Sequence, residues 1–446
     1  MLIRAEWVVP VSSPPIRDGA VLVEGPLIDA VGPYEELRRQ IGRGEEALDL
    51  GHAIILPGLV NAHAHLIYTV FRGLEDDLTL FPWMMSAIIG PSELMDEQDF
   101  YLSALLGCLE SIRSGTTCLA DACPMSAGLR AMADAGLRGV AYLEVFEGER
   151  GPEEAVEGAV KKVAKMDREA PDPIRVGLSP HAPYSNSPEM LRLVAERARE
   201  LGLPLCLHLA ETRAEMEFFT SGTGELAKLI KELGLRIRGG LGKTPARYLS
   251  DLGLLGPDVL LAHCIHLTDE DIALLARARS PVAHCPKSNA KLGSGVARVP
   301  EMLASGLTVA LGTDSAASNN RLDMFEEMRA AIFIQRALRA KAPVLTAEDI
   351  LRMATLGGAE ALGLGGLVGS LEPGKRADLI AVELHEGLLP TYDPVSTLVY
   401  CASGSDVVLT MVDGQVLYER GRFTRLDVKR IIEDCRALGE RLAEEL

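Results

Sequence analysis

Residues 54–65 read Ile54-Ile55-Leu56-Pro57-Gly58-Leu59-Val60-Asn61-Ala62-His63-Ala64-His65. An apolar run of strand length, Ile54–Val60, ends in two histidines one residue apart. Side chains two positions apart on a strand point to the same face, so both imidazoles can reach one ion. The same texture recurs in seven further runs: Thr116–Ala120, Gly139–Val145, Arg175–Leu178, Leu203–Leu207, Val259–Ala262, Pro281–Ala283 and Leu307–Leu311. Helix-period segments lie between and after them, among them Gln98–Arg113, Glu153–Glu169, Pro188–Leu201, Asp269–Arg279 and Leu322–Arg339. Eight strands alternating with helices read as an α/β protein with a (β/α)8 TIM barrel. A doubly wound sheet would want a glycine-rich phosphate turn after an early strand, and no Gly-x-Gly-x-x-Gly follows one here. Two long connections, Leu66–Glu97 and Thr212–Asp258, read as lids or binding loops.

Outside the barrel, both ends of the chain are strand-rich. Residues 2–56 hold short runs such as Ala20–Gly25 and Ile28–Val31, and residues 368–423 have the same texture. Short strands need partners to bury a face, so the two ends are expected to meet. The expected division is a composite β-sandwich domain from residues 1–57 and 366–446, with a barrel over 58–365. The last stretch, Leu426–Leu446, reads as an amphipathic helix packed on the outside.

Composition narrows the function classes. The 446 residues carry 45 basic and 63 acidic side chains, a net charge of −18, with 4% aromatic residues. Nucleic-acid binding wants a basic footprint and, for single strands, stacking aromatics; neither is present, so no nucleic-acid partner is expected. Apolar runs such as Ala53–Val60 fall far short of the ~18 residues of a membrane span, and residues 1–6 lack a signal-peptide pattern. The eight cysteines form no Cys-x-x-Cys pair. In a chain this large they read as buried thiols of a reducing compartment, so the cytoplasm is the expected location.

A barrel of this kind carries its chemistry at the C-terminal ends of its strands. Seven of the nine histidines lie there: His63, His65, His181, His208, His263, His266 and His284. His208 and Asp314, on other strands, can complete a site with His63 and His65. Three imidazoles and a carboxylate suit one divalent ion, zinc or iron, with a position left for water. Glu211, three residues after His208, is a candidate to move the water's proton; a first-turn helix carboxylate is the alternative. Asp314 can accept a water proton as well as bind the ion. His263 can polarise a developing charge, serve as a fifth ligand, or orient one. Lys287 could meet a substrate anion. Asp121 could support a ligand histidine or cap a helix.

Four stretches, Pro57–His65, His208–Thr212, His263–Leu267 and Leu311–Asn320, resemble the amidohydrolase superfamily. The resemblance is narrowest to the branch of methylthioadenosine/S-adenosylhomocysteine deaminases, guanine deaminases and triazine hydrolases, and Gly369–Val382 is similar to that branch's closing sheet segment. It implies hydrolytic deamination of a heteroaromatic amine, most readily a purine nucleoside of the methylthioadenosine, S-adenosylhomocysteine or adenosine kind. It implies His63, His65, His208 and Asp314 as metal ligands and Glu211 and His263 as the proton-handling pair. His181 would contact the substrate ring or sugar, and Trp83 would stack from a lid. The metal would be zinc, with iron or manganese open, the substrate a small molecule, and the protein a homodimer or larger.

Some positions depart from the branch. The acid that follows the lid tryptophan and binds ribose hydroxyls falls at Ser92, with Glu93 one place on. Ser315 stands for a glycine and Cys285 for an asparagine. The loop Glu217–Gly224 resembles a subgroup acting on aminofutalosine-like nucleosides. Triazine hydrolysis with loss of halide or alkylamine, and cyclic amide hydrolysis, are the alternative reactions. The two-metal members that perform the latter use a lysine at the fourth strand, where this chain has Ser179-Pro180-His181. A non-catalytic scaffold would have lost ligands, and all four are present.

Overall fold

The computed structural model describes residues 1–40, 47–148, 151–234 and 237–446. Eight parallel strands follow one another in chain order: Leu59–Ala64, Thr116–Cys123, Arg138–Glu144, Ile174–Ser179, Leu205–Leu209, Val259–His263, Val282–His284 and Val309–Leu311. The eighth returns to the first through a parallel bridge between Asp314 and Ala64, where Asp314 N–H donates to His63 O at 2.9 Å. The strands close into the expected barrel.

One strand differs from its reading. The run at residues 54–60 is not a single barrel strand but two strands in two sheets. Ala53–Pro57 pairs antiparallel with Leu379–Glu383 in the second sheet, and the barrel strand begins at Leu59. Gly58 stands at the junction. Its N–H donates to Asp378 O at 3.0 Å, and a Cβ there would lie 2.0 Å from Thr117 Oγ1. Only a residue without a side chain allows so close a pass between the sheets.

The second sheet has nine strands drawn from both chain ends. In order they are Arg422–Phe423, Gln415–Glu419, Val407–Val412, Leu379–Glu383, Ala53–Pro57, Leu2–Val8, Ile16–Glu24 and Leu27–Pro33, with Ala47–Asp49 branching from Leu2–Val8. Alternation along Ala53–Leu56 shows its two faces. Ala53 and Ile55 join a core with Ile3, Val21, Leu379 and Leu409, whereas Ile54 and Leu56 join the large core that surrounds the barrel. Burial on both sides explains why this strand reads as a continuous apolar run. Arg138, at the start of the third barrel strand, is the polar link between sheet and barrel. Its Nε and Nη2 donate to Asp378 at 2.6 and 3.1 Å, and Nη2 also meets Asp413 at 2.5 Å.

The C-terminal helix, Val428–Glu445, buries Ile431, Cys435, Leu438 and Leu442 against the helix Glu97–Arg113. All eight cysteines are free thiols. Seven are buried as read; Cys401 is exposed, because it ends a single helical turn rather than a strand. Among the described residues, no helix is long and apolar enough to cross a membrane.

Candidate active site

The barrel interior is filled from below by small side chains, including Val60, Ala62, Cys118, Ala120, Val140, Cys206 and Ala310. Period-two alternation then turns the next residues of the same parity inward at the upper rim: His208 after Cys206, Asp314 after Ala310 and Gly312. Gly312 leaves room for the first strand, since a Cβ there would sit 2.9 Å from His63 Cβ. The first strand changes phase to deliver its histidines. Its pairing with the second strand shifts register between Asn61 and Ala64, the kind of bulge that re-aims a side chain beside a site. Asn61 holds the bulge, accepting from Thr313 N–H at 3.0 Å and donating to Thr313 Oγ1 at 2.7 Å. His181, Ala210, His263, Cys264 and Asp314 all have positive φ, between 47° and 68°. Such conformations are costly for non-glycine residues and cluster where function requires them.

His63, His65, His208 and Asp314 converge. His65 Nδ1 bonds Ala122 O at 2.8 Å and His208 Nδ1 bonds His181 O at 3.0 Å. Each contact fixes the proton on Nδ1 and leaves Nε2 a bare lone pair. Those two Nε2 atoms face each other at 3.3 Å. With both imidazoles neutral these two acceptors form no hydrogen bond, and a cation between them would satisfy both lone pairs. A tetrahedral ion bound at ~2.1 Å sets neighbouring ligand atoms ~3.4 Å apart. Asp314 Oδ1 lies 3.6 Å from His65 Nε2 and 3.9 Å from His63 Nε2, and the buried His63 Nε2 has no hydrogen-bond partner. The donor set therefore fits one divalent ion.

The electrostatics agree. Burial, with His65 beside His63 and His181 beside His208, pushes both imidazoles far below the usual histidine range. Burial also presses on His65, but Glu144, Asp314 and Asp121 pull harder and raise it; a cation at Nε2 would meet the same carboxylates. Asp314 is pushed up by burial, yet His65, His263, His63 and a bond from Ser288 outweigh this and hold it at about 2. Ser288 and Ser318 both donate to Asp314 Oδ2, at 2.6 and 2.8 Å, so Oδ1 is the oxygen left for an ion.

Glu211 and His263 stand beside this cluster. Glu211 Oε2 is 3.8 Å from His263 Nε2, and His263 Nδ1 bonds Asn289 Oδ1 at 2.9 Å. Burial raises the Glu211 carboxyl, a shift that suits a group taking up and releasing a proton. Its backbone is fixed from below: Glu215 accepts from the N–H groups of Ala210 and Glu211 at 3.0 and 2.9 Å.

A cavity of about 930 Å³ opens over these groups. His181 and Trp83 line it. The two long connections supply its outer wall, but as short helices rather than loops: Phe81, Trp83 and Ile88 on one side, Leu226, Leu229 and Ile230 on the other. Other candidates lie elsewhere. His266 bonds Ser294 O, and His284 is buried outside the cavity lining. Lys287 is taken by Glu326. Asp121 touches no imidazole of the cluster; it accepts from Leu66 N–H at 2.8 Å, the first N–H of the short helix Leu66–Phe71, and so fixes the chain after His65. Neither Ser92 nor Glu93 reaches the lining, while Glu144, unremarked in the sequence, does. Its signal was parity: Val140, Tyr142 and Glu144 share the inward face of the third strand.

Comparison with known proteins agrees with this arrangement. The model of the amidohydrolase family matches residues 54–417. The chain belongs to the amidohydrolase family. An amidohydrolase from Moorella thermoacetica, named 5-methylthioadenosine/S-adenosylhomocysteine deaminase, is 40% identical over 433 residues, covering 97% of each chain. Among solved structures, a zinc-bound adenosine deaminase from Xanthomonas campestris superposes with a TM-score of 0.88 at 29% identity, covering 99% of this chain and 98% of that one. The zinc complex of an atrazine chlorohydrolase from Arthrobacter aurescens gives 0.85 at 26%, covering 98% and 99%. This amidohydrolase is thus a hydrolase of non-peptide carbon–nitrogen bonds, a deaminase acting on a small molecule.

Proposed function

We propose that the protein is a metal-dependent deaminase of a heteroaromatic amine, with a purine nucleoside as substrate: methylthioadenosine, S-adenosylhomocysteine, adenosine or an aminofutalosine-like compound. The observation that carries this reading is the pair of bare Nε2 atoms at 3.3 Å, beside Asp314 and in one cavity with Glu211 and His263. His63, His65, His208 and Asp314 would hold the ion, zinc in two of the similar structures. A divalent ion bound there supplies water with its pKa brought near neutrality.

The chain's own groups do the rest. Glu211 receives the proton that the attacking water loses and delivers it to a ring nitrogen. His263, its Nδ1 proton held by Asn289, presents Nε2 to the charge that develops on oxygen. Trp83 and His181 bound the ring, and the apolar outer wall excludes bulk water. The sum is ring C–NH2 plus water giving ring C=O, a protonated ring nitrogen and ammonia. A homo-oligomer in the cytoplasm belongs to the same reading. The chlorohydrolase likeness keeps one alternative in view, displacement of halide or alkylamine from a triazine.

Ammonia release by zinc-loaded protein tests this, against adenosine, methylthioadenosine, S-adenosylhomocysteine, aminofutalosine, guanine and melamine, with chloride release from atrazine in parallel. Turnover of a nucleoside is expected. In Glu211→Gln it should fall about 10²–10⁴-fold, the span of one acid–base group, with the metal retained. Full activity in that variant would sink the mechanism, and chloride release alone would move the protein to the alternative.

A further inference from the structure

One carboxylate in the cavity has no part in the steps above. Glu144 ends the third barrel strand with its side chain inward, is 8% exposed, and leaves Oε1 buried without a hydrogen-bond partner. One of its carboxylate oxygens, a His181 ring nitrogen and a His208 ring nitrogen lie within 4.8 Å of one another. These three do not make a second metal site. His208 Nδ1 is committed to His181 O, and its Nε2 to the site shared with His65, so His208 has no lone pair to spare. An unfilled buried acceptor is costly, and Glu144 borders the cavity where substrate must lie. A substrate N–H or O–H is its natural partner.

The layout indicates which one. Glu211 and His263 come from strands five and six and occupy one flank of the ligand cluster; Glu144 and His181 come from strands three and four and occupy the other. In the deaminase reading the reacting carbon would lie between the flanks. With water's proton leaving toward Glu211, the unpartnered Glu144 oxygen on the opposite flank is the acceptor available to the group to be displaced. Building on the deaminase reading, we propose that Glu144 accepts an N–H of the departing amino group and thereby selects nitrogen leaving groups over halide. An amino group offers two N–H donors there. A chlorine offers only lone pairs, which a carboxylate repels. Glu144 exchanges no net proton: the C–O bond forms from water, the C–N bond breaks, and one water proton ends on the amino nitrogen and the other on the ring nitrogen.

The test compares wild type, Glu144→Gln and Glu144→Ala, all zinc-loaded, on adenosine and on 6-chloropurine riboside, with metal content measured alongside. Loss of one charge-assisted hydrogen bond should lower kcat/KM for the amino substrate about 10–100-fold in Glu144→Ala. The chloro substrate should be unchanged or faster, so the amino-to-chloro ratio falls at least about tenfold. Glu144→Gln keeps one acceptor oxygen and should lie between. A parallel fall for both substrates would overturn the proposal and assign Glu144 to holding ring or sugar. Loss of metal would overturn it in favour of ligation. Wild-type protein that releases chloride but no ammonia from any amine refutes the deaminase reading itself, and this proposal with it.

Discussion

Replacing Arg138 by methionine should destabilise the protein by an amount that depends on pH in a calculable way. Arg138 is 2% exposed and neutralises Asp378, equally buried, through two hydrogen bonds. Removing one partner of such a pair typically costs ~3–5 kcal/mol, because a buried charge is left uncompensated. Asp378 has a way out: it can take a proton. Burial already pushes its carboxyl upward, and only Arg138 and the Asp413 N–H pull it back. Protonating at pH 7 a carboxyl whose unfolded pKa is near 3.9 costs about 4 kcal/mol, which caps the penalty. At pH 5 the same proton costs only about 1.5 kcal/mol. The sign follows: a folded pKa raised above the unfolded value gives stability that is complete below the unfolded pKa and lost as pH rises through the folded one. The variant's deficit against wild type should therefore shrink by roughly 2.5 kcal/mol between pH 7 and pH 5. Guanidinium unfolding of both proteins at the two pH values measures it. A deficit below ~1 kcal/mol at pH 7, or one that does not change with pH, would refute the reasoning. The pairing variant Arg138→Met with Asp378→Leu should recover most of the loss.

Other expectations are narrower. His208→Ala should bind well under one metal ion per chain by elemental analysis, since it removes one of the two facing Nε2 atoms. The double variant Ser288→Ala with Ser318→Ala frees Asp314 Oδ2 and should weaken metal affinity about 10–100-fold in chelator competition; unchanged affinity would mean the serines do not hold the carboxylate in place. Gly58→Val should yield little soluble protein, because its side chain would overlap Thr117, and a normal yield would contradict the close pass between sheets.

The barrel and the cluster at its rim were legible because each strand announces itself as an apolar run. His208 and Asp314 follow by parity, whereas His63 and His65 were read from their own two-residue spacing, although a register shift after Asn61 is what turns them inward. Parity also explains the errors. His284 follows inward-facing Ala283 by one residue and so leaves the interior. Glu144 was hidden because the apolar run continues to Val145, and nothing local says which alternate residues face in. The expected domain boundary already fell between residues 57 and 58, but Ile54–Val60 still read as one strand for a different reason: both halves of the run are buried, and only pairing with residues some 320 positions away assigns the first half to the other sheet. Lys287 read as free because its partner Glu326 is remote in sequence.

That distant pairing has a consequence for how the protein is made. Ala53–Pro57 leaves the ribosome early, yet its partner strand, Leu379–Glu383, emerges more than 300 residues later, with three strands and the C-terminal helix still to come. At ~5–20 residues per second, the wait is roughly 15–65 s. Throughout it, an apolar β-rich segment adjoining both first-strand histidines has an open edge. Nascent chains should therefore lean on chaperones until translation is nearly finished, and a circular permutant that places residues 379–423 ahead of residue 1 should relieve that dependence.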